Sequence, residues 1–532
     1  MLNFHLLIYS AEFNRNYYPP VIVKTILFIL AVAISSFAQD TTRSLAFKKN
    51  NLIRSSPFYY QPDLSYQLLQ QFKLVQEANA GDPRAQHELG MRLLLGEGMS
   101  PDTLQAVFWI RKAASQGMIS AVYNYGVLLV NGWGVEWNPF EAYKNFRKAA
   151  QSGMAQAQFI VGILHTDDLI VPRDLNKAYA WTKRAYENGF EPAEEVVIAL
   201  TEHVDLNTIS LDDSTLTQLE FANVPVETSI ESALGLVFLD FDAINDTTEN
   251  EITDQILIKD LSFCGVKNIL DTMELTKDSD LSLLEKPKLS ILQKLAESGS
   301  PEALTILGRL YETSILVDKN LIRAAEYYIR AIRLDSPRAP LLLWNLIKSN
   351  GFYTLLRNAS EQNDPAAQFV WYGLHILSYD QRITEFDALR FLEMAANNNH
   401  IPAIIELGLN HYTGRYVTES KINGISIWQI GEKYGSLEAS VRIASARVFD
   451  QFGLINTEKL LDFLNDASSN GSVLSEVALG SAYENGVGVK RNLAKAVKHY
   501  KNAAQRGSQF AFNQLKRIYD SLRPAEPEFV IN

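Results

Sequence analysis

Catalysis and metal binding need particular side chains at particular spacings, so the ionisable residues come first. His165 stands beside Asp167 and Asp168, donor types that a metal site could use. No second histidine lies near it in sequence, and the polarity of a loop accounts for the run. His400 and His411 fall toward opposite ends of one expected helix and form no ligand pair. Asp240, Asp242, Asp246 and Glu251 fit positions one, three, seven and twelve of a calcium-loop template. Ile244 and Asn245, however, stand where that loop needs an oxygen ligand and a glycine, which leaves a solvated acidic loop as the expectation. Cys264 is the single cysteine, so no intramolecular disulfide and no cysteine-based cluster can form. There is no Gly-x-Ser-x-Gly elbow, His-Glu-x-x-His pair, phosphate-cradling loop or dinucleotide fingerprint. No catalytic residue, metal ligand or cofactor is assigned, and the chain is expected not to be an enzyme.

Binding chemistry is better represented. The loop Gly132-Trp133-Gly134-Val135-Glu136-Trp137-Asn138-Pro139 carries two indoles, and its counterpart near the C-terminus reads Gly486-Val487-Gly488-Val489-Lys490-Arg491-Asn492. Val487 and Arg491 thus occupy the places of Trp133 and Trp137, so the loop itself does not require indole at either. Two readings stay open. Trp133 and Trp137 anchor a protein partner, as exposed tryptophans at interfaces do, or both rings cover adjacent helix ends of their own chain.

These loops belong to a repeat. Gly81, Gly117, Gly153 and Gly189 follow one another at 36-residue intervals, and the same spacing links Asn399, Gly435, Gly471 and Gly507. Small residues recur at fixed offsets from these anchors: Ala85, Ala121, Ala157 and Ala193, then Gly90, Gly126 and Gly162. In the first unit, Asp82 and Pro83 open a helix that runs to about Leu95. Gly96 and Gly98 stop it, and Ser100-Pro101 is expected to cap a second helix whose apolar residues recur at spacings of three and four. A lone helical hairpin cannot bury such a face, whereas stacked neighbours can.

The spacing, the Gly132–Val135 and Gly486–Val489 loops, and the pairs Ala149-Ala150 and Ala503-Ala504 resemble the Sel-one-like repeat family, relatives of the tetratricopeptide repeat. The resemblance implies an all-α fold, a right-handed α-α superhelix (solenoid) of about twelve helical hairpins, several of them degenerate. It also implies an adaptor that binds other proteins.

The expected organisation is a leader and signal peptide over 1–38, a linker over 39–63 and N-terminal repeats over 64–189. An acidic segment of degenerate repeats or an insert follows over 190–298, then C-terminal repeats over 299–521 and a disordered tail over 522–532. The unit that opens at Asp335 is short, since the next anchor, Asn363, follows after 28 residues. The acidic segment holds 19 Asp or Glu against 5 Lys between Thr201 and Ser290. Its length is near three periods, which favours degenerate repeats. Apolar runs at 236–239 and 256–258 carry the competing pattern of short strands.

The net charge of −12 argues against a nucleic-acid partner. Lys24, the apolar run 25–34 and the small residues Ser36 and Ala38 form a signal-peptide pattern ending near Ala38, with initiation at Val23 as a variant of it. The apolar run is short for a membrane span, so no stable span is expected after cleavage. The expected product is a bacterial periplasmic or secreted scaffold for a protein or peptide partner. The competing function is a cell-envelope enzyme acting on glycan or cell wall, housed in the acidic segment.

Overall fold

The computed structural model describes residues 58–60, 71–201, 203–204, 252–277, 279–451 and 456–531. The signal-peptide region, the calcium-loop residues and the apolar run 236–239 lie outside them. The fold is an all-α solenoid, with no strand among the described residues. It divides into two compact units, one drawn from 25–242 with 515–532, the other from 243–514.

The first unit begins with α1 (Gln71–Ala80), α2 (Pro83–Leu95), α3 (Thr103–Ser115) and α4 (Ile119–Asn131). It continues with α5 (Pro139–Gln151), α6 (Ala155–Leu164), α7 (Leu175–Glu187) and α8 (Ala193–Thr201). The second holds α9 (Asp254–Leu261), α10 (Ile269–Met273), α11 (Lys286–Glu297), α12 (Pro301–Thr313) and α13 (Leu321–Arg333). Then come α14 (Ala339–Ile347), α15 (Phe352–Glu361), α16 (Pro365–Ile376), α17 (Glu385–Asn397), α18 (Ile401–Thr413) and α19 (Lys421–Lys433). The series closes with α20 (Leu437–Asp450), α21 (Thr457–Ser469), α22 (Val473–Asn485) and α23 (Leu493–Gln505), and α24 (Gln509–Leu522) starts in this unit and ends among the residues of the first.

Local chemistry sets the helix ends. Asp82 accepts hydrogen bonds from Arg84 N and Ala85 N, and Pro83 takes the first helical place, where its missing N–H is no loss. The second helix of that repeat starts later than the Ser100-Pro101 pair implied. Asp102 is its N-cap and accepts from Gln105 N at 3.0 Å, while the Pro101 ring lies under Gly96. Asn138, Asp174, Asn320 and Asn492 cap the corresponding helices in the same way. The loop glycines Gly486 and Gly488 have φ of +74° and +71°, a conformation that penalises any Cβ. Gly480 is small for a different reason, since a Cβ there would meet the Tyr500 ring at 2.7 Å. Gly126, Gly308 and Gly408 likewise face the rings of Phe146, Tyr328 and Trp428, whereas Gly90 and Gly162 face Ile110 and Thr182.

The run 256–258 is helical, not a strand. Thr253 caps α9, and Leu257, Ile258 and Leu261 are buried on one side of it. The short unit after Asp335 consists of α14 and α15, of nine and ten residues against thirteen in regular helices. With so little between them, α13 packs directly on α16.

The segment expected to be a disordered tail is ordered through 531. The Phe529 ring is fully buried, with centroids 5.3 Å from Phe140 and 5.8 Å from Tyr143. Glu526 pairs with Lys144 at 2.8 Å and Glu528 with Arg147 at 2.6 Å. Arg523 donates to the carbonyls of Leu169 and Ile170. An apolar anchor flanked by two complementary charges gives this stretch a docking site that its proline-containing sequence did not advertise.

In the second unit the last repeat meets the first. Arg506 forks onto Glu302 at 2.8 and 2.9 Å and donates to the carbonyl of Gly471 at 2.6 Å. Other buried pairs line the same unit: Arg338 with Asp260 and Arg333 with Glu406, both at 3.0 Å, and Arg330 with Glu438 at 3.2 Å. Burial pushes the Glu438 carboxyl upward, but Arg442 and Arg330 overcome this and hold it below the usual range.

Candidate peptide-binding groove

In the first unit, α2 and α4 present equivalent positions of successive repeats side by side. Helix α2 supplies His87, Glu88 and Met91; α4 supplies Asn124. Asn124 follows Gly117 by the same count by which Glu88 follows Gly81. The extended stretch Phe58–Tyr60 crosses this face. Asn124 Oδ1 accepts from Tyr59 N at 2.9 Å, and its Nδ2 donates to Tyr59 O at 3.0 Å. One side-chain amide therefore satisfies both main-chain groups of one residue.

The flanking side chains are held as well. The Tyr60 hydroxyl donates to Glu88 Oε1 at 3.1 Å and lies 3.4 Å from Glu97 Oε2. Its ring stands edge-on to His87 and is 7% exposed. Glu88 is also fixed by Arg92 Nε at 2.7 Å. Burial, then the nearby Glu88 and Glu97 carboxylates, push the Tyr60 phenol up. His87 is buried and its pKa falls to about 4. A neutral ring can accept the Asn124 amide at Nε2, 2.8 Å away, which assigns its proton to Nδ1.

The two indoles singled out from sequence part company here. Trp133 is half-buried at the groove's edge, its ring 5.9 Å from that of Phe58. Trp137 is 8% exposed and sits edge-on to Tyr519 at 5.5 Å. Trp137→Ala is expected to lower stability by about 3 kcal/mol, whereas Trp133→Ala, at a half-buried site, is expected to lose less than half as much. Chemical denaturation of the two full-length variants checks this, and equal losses would contradict it. Sequence reasoning passed over Asn124. Its only signal was an amide within the apolar run Val122–Val130.

His165 and Asp167, weighed from sequence as metal donors, are buried and engaged locally. The Tyr143 hydroxyl lies 3.4 Å from His165 Nε2, and Asp167 accepts from Leu169 N. Burial brings His165 down to about 4. Among the described residues no cluster of three or more His, Cys, Asp or Glu could hold a metal ion, and no helix is long and apolar enough to cross a membrane.

The Sel1 repeat model matches residues 83–118, 119–154, 155–190, 301–336 and 473–508. The chain carries five Sel1 repeats. Its groove lies where the first two matched Sel1 repeats adjoin. A 66-residue stretch is 36% identical to DAP3-binding cell death enhancer 1 of Rattus norvegicus and of Mus musculus. The stretch spans 12% of this chain and 13% of either relative. Among solved structures, a protective antigen of uropathogenic Escherichia coli displaying an SLR fold aligns over 81% of this chain and 78% of its own, at 20% identity and a TM-score of 0.26. A Sel1 repeat protein from Oxalobacter formigenes aligns over 25% of this chain and 98% of its own, at 29% identity and a TM-score of 0.24.

Proposed function

We propose that this chain is an exported protein-interaction scaffold whose N-terminal repeats hold an extended segment of a protein partner against α2 and α4. Sel1 repeats generally mediate protein–protein interaction, and the rat and mouse relatives are binding proteins by name. The observation that carries the reading is the paired hydrogen bond of Asn124 with the main chain of Tyr59. Recognition through backbone groups, with pockets for alternate side chains, is a recurring way to bind extended peptides. Trp133, beside Phe58 at the groove's edge, is placed to cover an aromatic residue of such a segment. Trp137 enters the proposal only as support for the loop that carries Trp133. Export rests on Lys24, the apolar run 25–34 and the small residues before Gln39.

Asn124→Leu keeps the branched shape of the side chain and removes both hydrogen bonds. Losing them is expected to weaken capture of the partner from native envelope extracts by about 2 kcal/mol, roughly thirtyfold. Undiminished capture by the variant would place the partner elsewhere on the chain. Mass spectrometry of the mature protein tests export separately, with Gln39 expected as its first residue.

A further inference from the structure

The groove is already filled. Its occupant is the chain's own Phe58–Tyr60, and each of its three residues is held by a different chemistry: Phe58 by an indole, Tyr59 through its main chain, Tyr60 through its hydroxyl. The geometry points to Phe58–Tyr60 as a displaceable occupant of a groove selective for an extended segment with an unmodified tyrosine two residues after an aromatic. The inference rests on the groove reading above and adds to it both the partner's chemistry and a covered state.

The selectivity follows from what surrounds the hydroxyl. Glu88 is a buried carboxylate that receives one hydrogen bond from Arg92 and one from Tyr60. A phenylalanine in that place withdraws a donor from a buried acceptor. A phosphate on the tyrosine would bring negative charge against both Glu88 and Glu97, two carboxylates against the one Arg92 that Glu88 and the Tyr60 hydroxyl already share. The middle residue, by contrast, is read through its N–H and C=O, a pair of groups that every residue except proline carries. Cover follows from linkage. A segment joined to its own groove through residues 61–70 competes at high effective concentration with any segment arriving from outside.

The test uses the full-length chain and a fluorescein-labelled dodecapeptide of residues 52–63, followed by fluorescence anisotropy. Phe58→Ser with Tyr60→Ser vacates the groove by removing both anchors. Tyr59→Pro vacates it differently, by deleting the N–H that Asn124 accepts, and serves if the first variant loses its helical circular dichroism. The vacated chain is expected to bind the probe at least tenfold more tightly than the natural chain. A probe with phenylalanine for the second tyrosine should bind roughly fivefold more weakly. A probe phosphorylated there should show no binding, and Asn124→Leu in the vacated chain should weaken binding of every probe roughly thirtyfold. Equal affinity of the natural and vacated chains would overturn the covered state while leaving the groove as a peptide site. Binding of the phosphorylated probe would overturn the selectivity. A vacated chain that is fully helical yet binds no probe would remove the groove reading itself.

Discussion

Arg506→Met is expected to destabilise the second unit by about 3–5 kcal/mol, the loss typical of breaking one side of a buried ion pair. The guanidinium is 1% exposed and the Glu302 side chain 7%. Methionine leaves the Glu302 carboxylate in the interior without its counter-charge, and leaves the Gly471 carbonyl without its donor. The loss belongs to the stranded charge more than to the absent bond. Arg506→Met combined with Glu302→Leu is therefore expected to recover most of it, since an apolar pair of similar volume often matches a buried ion pair. Urea denaturation of the natural chain, the single variant and the double variant separates these terms. A single variant within about 1 kcal/mol of the natural chain would mean that the contact does not hold the last repeat to the first.

The first unit is expected to be acid-labile well above the carboxylate range. His87 and His165 each have a folded-state pKa near 4, against about 6.5 for a free imidazole. Burial is the leading cause for both. Between those values the unfolded chain takes up protons that the folded chain refuses. The stabilisation is complete above about pH 6.5 and drains away as pH falls toward 4. The expected loss by pH 4.5 is about 2–3 kcal/mol per ring. Around His87 stand Asn124 and the Tyr60 ring; around His165 stand the Tyr143 hydroxyl and the Pro172 carbonyl, with Asp174, Lys177 and Arg147 acting at longer range. A proton on His87 Nε2 also removes the acceptor for the Asn124 amide. Urea midpoints at pH 7 and pH 4.5 check this. The variant with both His87→Gln and His165→Gln should lose much less on acidification than the natural chain. Parallel losses in the two proteins would trace the effect to other groups.

The contrast between what sequence discloses and what it hides follows the range of the interaction. Helix α2 could be placed from Asp82 to Leu95 because its cap, its first-turn proline and its stop glycine are neighbours in the chain. The next helix was misplaced by two residues because Ser100 and Asp102 can both cap, and the packing of Pro101 under Gly96 decides between them. The run Ile256–Ile258 is too short for its period to separate strand from helix, and the burial of Leu257, Ile258 and Leu261 settles it. The candidate site was half visible. Trp133 stood out by its loop, but Asn124 meets a residue 65 positions away, and no local pattern joins them. The tail hid its order for the same reason, since Phe529 is buried against rings nearly four hundred residues earlier.

Contact between Arg506 and Glu302 bears on how such a chain can change in length. Open repeat arrays gain or lose whole units by duplication, because each unit touches only its neighbours and a new one adds its own interface. Here the repeat that carries Arg506 also holds the partner of a charge on Glu302, 204 residues earlier in the same unit. One 36-residue module more or fewer between them would carry Arg506 out of reach and strand two buried ions. Homologous recombination between units, harmless in an open array, would be deleterious in this one, and the number of modules is inherited as a fixed quantity.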